Sequence, residues 1–426
     1  MECAPRYPRR MMRSRRAGHR STRFAVVALV ALTVIAGCAP IAGDASAARQ
    51  TPPPGAEDGA EASSAPRSAD GARAADVPVK RTGAPPPIDA ETRFVDDTLA
   101  GWTLEQTVAS LVMIAHPGTD PAPARAVLDA HGFGGFIVMG TNATGSLDAT
   151  AGFVSGLSAD PLLPVLTAVD QEGGDVRRLP GDAGPAGRDL HGADPAAFIH
   201  RRVLDTAPSS AADRVAAAVR GEQGTALSTL KHFPGHGASP DDSHVSIPGS
   251  SIELTEWRRT HALPFAAGID AGAELVMTGH LRFDRVSPHP ASLSPTWMRI
   301  LRDDLDFDGV IVTDDLLMLQ RSGIPEFVDP HENAVRALAA GNDVLLFVLP
   351  ADPAQAGVDP ARLVARLAEA VRSGEVSEEQ VERSARRVLE LRRVQSEVAA
   401  PSCGPACDRE SVRAHWRDRG REAVDG

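Results

Sequence analysis

The sequence is short of several things, and each shortage excludes something. Cysteine occurs four times in 426 residues, too rarely for a disulfide-built scaffold. Positive charge is in deficit, with 44 Lys and Arg against 56 Asp and Glu and a net charge of −12. A nucleic-acid binder needs the opposite balance. Aromatic residues make up 4%, which argues against sugar recognition by stacked rings alone. Lysine is nearly missing: Lys80 and Lys231 stand alone, and arginine supplies the positive charge elsewhere. The remainder is ordinary for a globular protein, 42% hydrophobic and 23% charged. The length suits one large domain with extensions.

The two ends differ from the middle. Residues 1–37 carry eight arginines against one acid, Glu2, followed by the apolar run Phe24–Ile35 and then Ala36-Gly37-Cys38. A spanning helix needs about 20 apolar residues, so this order predicts a secretory signal and not a membrane span. Ile35-Ala36-Gly37-Cys38 resembles a bacterial lipobox, which implies a lipid on Cys38 and a chain anchored on the outer face of the cytoplasmic membrane. Residues 38–88 are rich in Ala, Pro, Gly and Ser and read as a disordered tether. Such a coil spans roughly 40 Å. Residues 396–426 form a polar tail. Its Cys403 and Cys407 suit a local disulfide in an exported protein, and they lack the further ligands that a zinc site needs.

Residues 89–395 alternate apolar, branched runs with helical stretches, as in a parallel sheet with crossover helices. The runs are Leu111–Ala115, Gly135–Met139, Val165–Asp170, Ala226–Phe233, Glu274–His280, Val310–Asp314 and Asp343–Val348. Several end in Asp, Lys or His, as the strands of a (β/α)8 barrel do at its active face. The α/β class and a TIM-type (β/α)8 barrel are therefore expected. Seven strands are countable, so one βα unit is missing or irregular between residues 186 and 225. Helices are expected there at Asp194–Leu204 and Ala211–Arg220, and later at Ser377–Arg392, where Ser377 and Gln380 form a capping-box pattern.

Three motifs carry chemistry. Lys231-His232-Phe233-Pro234-Gly235-His236-Gly237, then Asp241-Asp242-Ser243-His244, reads as a rigid polar loop after a strand. A compact ammonium at Lys231, in a chain that otherwise uses arginine, suits point donation to a substrate hydroxyl. The three histidines could also ligate a metal, but they lack helical His-x-x-x-His spacing. Val310-Ile311-Val312-Thr313-Asp314-Asp315-Leu316 ends an apolar strand in two acids. Asp314 is the natural nucleophile there, whereas Asp315 suits a helix N-cap. Asp170-Gln171-Glu172-Gly173-Gly174, with Arg178 beyond, suits recognition of sugar hydroxyls.

Together these motifs, with Pro290-Ala291-Ser292-Leu293-Ser294 and Met318, resemble glycoside hydrolase family 3 over about residues 100–395. The resemblance is to its single-domain β-N-acetylhexosaminidases. It implies a nucleophile, Asp314, that forms a glycosyl-enzyme. It implies an acid/base, His244, oriented by Asp242, and Asp170, Arg178, Lys231 and His232 around the sugar. A His–Asp pair then replaces the usual second carboxylate, and histidine can donate and accept a proton near pH 7. No metal or organic cofactor is needed. The expected partners are a carbohydrate, a cell-wall fragment ending in β-linked N-acetylglucosamine, and the membrane through the lipid; the chain is expected to be a monomer that binds no nucleic acid. Relatives carry a further strand and a sugar-binding arginine between the Asp170 and Lys231 motifs. Here that interval is shorter by ~30 residues of a ~250-residue barrel. Arg188 matches an earlier position, and Ala238 replaces a frequent polar residue. The alternative is thus a catalytically impaired lipoprotein of the same fold that binds glycan or muropeptide; a phosphorylase is also compatible with the fold.

Overall fold

A computed structural model describes residues 30–34, 90–158, 160, 163–180, 202–224 and 226–399. Eight strands form one parallel sheet: β1 (Val30–Val34), β2 (Val112–Ala115), β3 (Gly135–Val138), β4 (Leu166–Val169), β5 (Leu227–Phe233), β6 (Leu275–Thr278), β7 (Val310–Thr313) and β8 (Leu345–Val348). Their order is β7-β6-β5-β1-β4-β3-β2-β8. Strands β2 to β8 fall within the seven expected runs, trimmed at their ends. They are buried along nearly their whole length. Both faces are covered, which is why the sequence shows unbroken apolar runs and no alternation.

The eighth strand comes from an unexpected place. Of the shortened interval, the described part holds the helix Pro208–Glu222, which extends the expected Ala211–Arg220 at both ends. Residues 202–204 are not helical. The rest of the expected Asp194–Leu204 helix, and Arg188, lie outside the described residues, as do Cys38, the tether up to residue 89, and Cys403 and Cys407. The position between β4 and β5 is taken by β1, from the segment that reads as the apolar core of a signal. Val30 pairs with Ala168 on one side and Leu227 on the other, and Val34 pairs with Lys231. A vacant position would leave the facing N–H and C=O groups of two central strands unpaired, which is costly. Val30-Ala31-Leu32-Thr33-Val34 has the branched composition that suits a strand.

The sheet curls. Met113, Ile137, Ala168, Thr229, Met277, Val312 and Leu346, one from each of β2 to β8, converge on an apolar interior cavity of about 10 Å³. Its end strands β7 and β8 meet through an isolated bridge from Val312 to Val344, just ahead of β8, and through backbone bonds such as Leu316 N–H to the Leu346 carbonyl at 2.9 Å, and not through a full ladder, so the structure shows no closed barrel.

Helices cover the outside. Three of them, Pro121–His131, Pro330–Ala340 and Pro360–Arg372, begin alike. An aspartate caps the first free N–H groups, and proline follows where no N–H is needed. The last helix runs Glu378–Ala399, beyond the expected Arg392 and into the expected tail. Ser377 Oγ accepts the Gln380 N–H, but the Gln380 side chain donates to the Leu338 carbonyl and does not close the capping box. No described helix is long and apolar enough to cross a membrane.

Candidate active site

The C-terminal ends of the strands open into a cavity of about 280 Å³. Asp170, Arg178, Lys231, His232, His244 and Asp314 all line it, so six of the expected site residues meet in one place. Asp242 joins them through His244. Glu172, Arg202, His236, Ser243, Asp315 and Arg321 line it as well.

Asp314 sits where β7 ends. Its N–H donates to the Thr278 carbonyl of β6 at 2.9 Å, so the nucleophile candidate is fixed by the neighbouring strand. Its Oδ1 accepts the Asp315 N–H at 2.8 Å, and its Oδ2 lies 3.7 Å from His232 Nε2. Asp315 turns into structure, but one residue ahead of the cap position expected for it: the helix Leu317–Arg321 has Leu316 at its N-cap and no side-chain cap there. Asp315 Oδ1 accepts from Leu317 N–H at 3.1 Å and Val348 N–H at 3.0 Å, and Oδ2 pairs with Arg321 at 2.8 Å. Burial raises its carboxyl above the ordinary value against those hydrogen bonds.

Behind β5 the scarce aromatics gather. Phe233, Trp257, Phe265, Phe283 and Trp297 pack edge to face, with ring centres 4.9–5.8 Å apart. Trp257 Nε1–H donates to the Pro234 carbonyl at 2.7 Å, which ties the polar loop to this cluster. Gly235 takes φ +129°, and a Cβ there would come within 3.0 Å of His261 Nδ1, so the position needs glycine. His236 Nε2 meets Ser243 Oγ at 2.8 Å, which links the two halves of the loop.

The acid/base pair stands beyond that link. His244 Nδ1 lies 2.7 Å from Asp242 Oδ1, which also accepts the His244 backbone N–H at 2.8 Å. A carboxylate can only accept, so Nδ1 carries hydrogen and Nε2 is left for chemistry. Burial would raise the Asp242 carboxyl, but the two His244 N–H groups hold it below the ordinary range. The His244 side chain is 59% exposed, whereas Asp314 is 17% exposed.

Opposite lies a charged cluster. Lys231 Nζ, 4% exposed, binds Asp170 Oδ1 at 2.5 Å and Glu172 Oε1 at 2.7 Å. Burial would lower its pKa, but those two carboxylates raise it above the ordinary lysine value. Burial likewise opposes the Asp170 charge, and Lys231, with Arg178 and Arg202, more than restores it. An ammonium has three donors, so one remains for a ligand hydroxyl. His232 Nδ1 and Arg178 Nε have no hydrogen-bond partner among the described residues, although buried polar atoms are normally paired. Burial first, then Lys231 and Arg202, push His232 well below the ordinary histidine value, so its ring stays neutral.

Arg202 was not singled out from the sequence. It grips Glu172 with two nitrogens, both at 2.7 Å, and lines the cavity beside Lys231. The shortened interval therefore still delivers a guanidinium to the site. Its sequence signal, an Arg201-Arg202 pair after Ala196-Ala197-Phe198-Ile199-His200, is weak. Among the described residues, no three His, Cys, Asp or Glu side chains are gathered as metal ligands would be.

The parallel sheet thus brings a strand-tip carboxylate, an Asp–His pair and a charged cluster to one cavity, the groups that nucleophilic and acid–base chemistry on a polar substrate needs. The profile described as "Glycosyl hydrolase family 3 N terminal domain" matches residues 189–391. The segment contains Arg202, Lys231, Asp242, His244 and Asp314. A beta-hexosaminidase of Stenotrophomonas maltophilia is 40% identical over 157 residues, 36% of this chain and 45% of that protein. One from Pseudomonas aeruginosa is 39% identical over 150 residues, 35% of this chain and 44% of that protein. The chain thus matches less than half the length of these curated relatives. Among solved structures, LpqI of M tuberculosis superposes with a TM-score of 0.59 at 26% identity, covering 74% of this chain and 98% of that one. A family 3 β-N-acetylglucosaminidase from Paenibacillus gives 0.60 at 26% identity, covering 75% and 69%.

Proposed function

We propose that the protein is a retaining β-N-acetylhexosaminidase of the glycosyl hydrolase family 3 type. The observation that carries this reading is the meeting of Asp314, the Asp242–His244 pair and the Lys231 cluster in one cavity. In the first step an Asp314 oxygen bonds to the anomeric carbon as the bond to the leaving oxygen breaks, and His244, entering the step as an imidazolium, gives that oxygen the proton on Nε2. In the second, His244 takes a proton from water, whose oxygen displaces Asp314. Two inversions give net retention. Asp170, Arg178, Arg202, Lys231 and His232 would hold the sugar hydroxyls; charged donors and acceptors suit hydroxyls that an aromatic-poor site cannot stack.

The substrate we favour is β-linked N-acetylglucosamine at the end of cell-wall fragments. The relatives' names support the sugar. The Ile35-Ala36-Gly37-Cys38 order supports export and lipid anchoring at Cys38. Cleavage before Cys38 would remove β1 and reopen the edges of β4 and β5 that it pairs, but none of the cavity residues named above precedes Cys38. Arg202 weighs against the impaired alternative, because it supplies a cation at the shortened interval. A chromogenic β-N-acetylglucosaminide offered beside the matching β-glucoside tests the reading. Selective release from the first is expected; release from neither, by folded protein, contradicts it.

A further inference from the structure

Pro290-Ala291-Ser292-Leu293-Ser294 is the one sequence motif that the reading above leaves without a task. Its centre, Ser292, is fully buried in a short 3-10 turn. Backbone bonds fix it on two sides: its N–H donates to Gly279 O at 3.2 Å, and its carbonyl accepts from Asn342 Nδ2 at 2.8 Å. Its hydroxyl lies 2.7 Å from His280 Nδ1. His280 is also fully buried, two residues beyond β6, and its Nε2 lies 2.9 Å from the Asp315 carbonyl oxygen.

The tautomer follows from the partners. A carbonyl only accepts, so Nε2 carries the hydrogen; Nδ1 is then the acceptor, and the Ser292 hydroxyl donates. Burial favours this neutral ring over a charged one. Residue 315 is thereby held on every side but one: its carbonyl accepts from His280 and from Met318 N–H at 2.9 Å, and its carboxylate accepts from Leu317 N–H, Val348 N–H and Arg321. Its remaining polar group, the N–H, is the one that binds Asp314 Oδ1.

We propose that His280, supported by Ser292, is a positioning residue for the nucleophile: it fixes residue 315 so that the N–H pins Oδ1 of Asp314 and leaves Oδ2 to attack. This rests on Asp314 being the nucleophile. Neither side chain lines the cavity, so both act through Asp315 and not on substrate. A carboxylate free to rotate would present its attacking oxygen correctly only part of the time, and misplacement of that kind is costly in rate.

The test uses the full chain and a 5-fluoro-N-acetylglucosaminyl fluoride, which traps a glycosyl-enzyme. It measures reversible binding (Ki), the trapping rate (kinact) and the labelled peptide. His280→Leu keeps bulk but loses the donor, whereas His280→Gln retains an N–H near the same place. The leucine variant should trap about 30-fold more slowly with Ki within about twofold, and the glutamine variant should lie within about fivefold of the parent. Ser292→Ala should slow trapping about fivefold by the same reasoning, and it carries the test should the His280 variants not fold. Equal rates for leucine and glutamine, or a Ser292→Ala rate equal to the parent's, overturn the proposal, as does a loss confined to Ki. An unaltered chain that shows no adduct at Asp314 fails earlier and differently, since it contradicts the nucleophile assignment itself.

Discussion

The two reacting groups are mounted very differently. Asp314 lies at a strand tip, tied to β6 through Thr278, while its neighbour Asp315 is tied to β8 through Val348. His244 lies on an exposed loop, held by Asp242 on one side and by the His236–Ser243 contact before it. The nucleophile must approach along one line, so rigidity serves it. The acid/base must serve a leaving group and then water, and must let sugar in, so a loop that can move serves it better. Each of the following changes strikes one side of that contrast.

The largest loss should follow Asp314→Asn. The amide cannot form the glycosyl ester, and kcat should fall by about 10⁴-fold or more on every substrate. Stopped assays with nitrophenyl and methyl glycosides would show it. Parallel residual activity on both is expected, and a variant within tenfold of the parent breaks the assignment.

His244→Ala should behave in the opposite way. Poor leaving groups, which need the proton, should slow by about 10²–10⁴-fold, and nitrophenolate far less. A plot of rate against leaving-group pKa should steepen in this variant and stay unchanged in slope for His280→Leu. Equal slopes for both would erase the distinction between the buried nucleophile and the exposed acid.

Arg202→Met removes the two-nitrogen grip on Glu172 and should cost about 10–150-fold in kcat/KM, equivalent to roughly 1.5–3 kcal/mol. If kcat/KM is unchanged, the charged cluster is scaffolding and not a sugar site.

The last effect leaves catalysis aside and concerns stability and pH. Burial lowers both His236 and His261 to about 4 from an ordinary 6.5. The unfolded chain therefore binds more protons between those values, and stability rises with pH there. The contribution is full above about pH 6.5 and is lost as pH falls toward 4, at about 3 kcal/mol per histidine. Tm should drop from pH 7 to 5, and His261→Phe should flatten that fall. A Tm that rises toward pH 5 contradicts the sign.

Much of this was legible in the sequence, for identifiable reasons. The strands β2 to β8 declared themselves because burial on both faces forces unbroken apolar runs. Asp314 was legible because its strand is one of those runs. What could not be read depends on chain that is distant in sequence. Val30–Val34 reads equally as a signal core or as a strand, since both want a short branched apolar run, and only the unpaired edges of β4 and β5 distinguish them. Arg202 has no local pattern; its meaning comes from Glu172, 30 residues away. The five aromatics behind the Lys231 loop are spread from Phe233 to Trp297, so a low aromatic content concealed a dense cluster.

The most direct measurement is the identity of the residue that carries trapped sugar. Full-length protein treated with the 5-fluoro-N-acetylglucosaminyl fluoride, digested and sequenced by mass spectrometry, should show one adduct on Asp314 that disappears on incubation with excess acceptor. Turnover of the chromogenic N-acetylglucosaminide with no adduct on Asp314, or with the sugar on another carboxylate, would contradict the account.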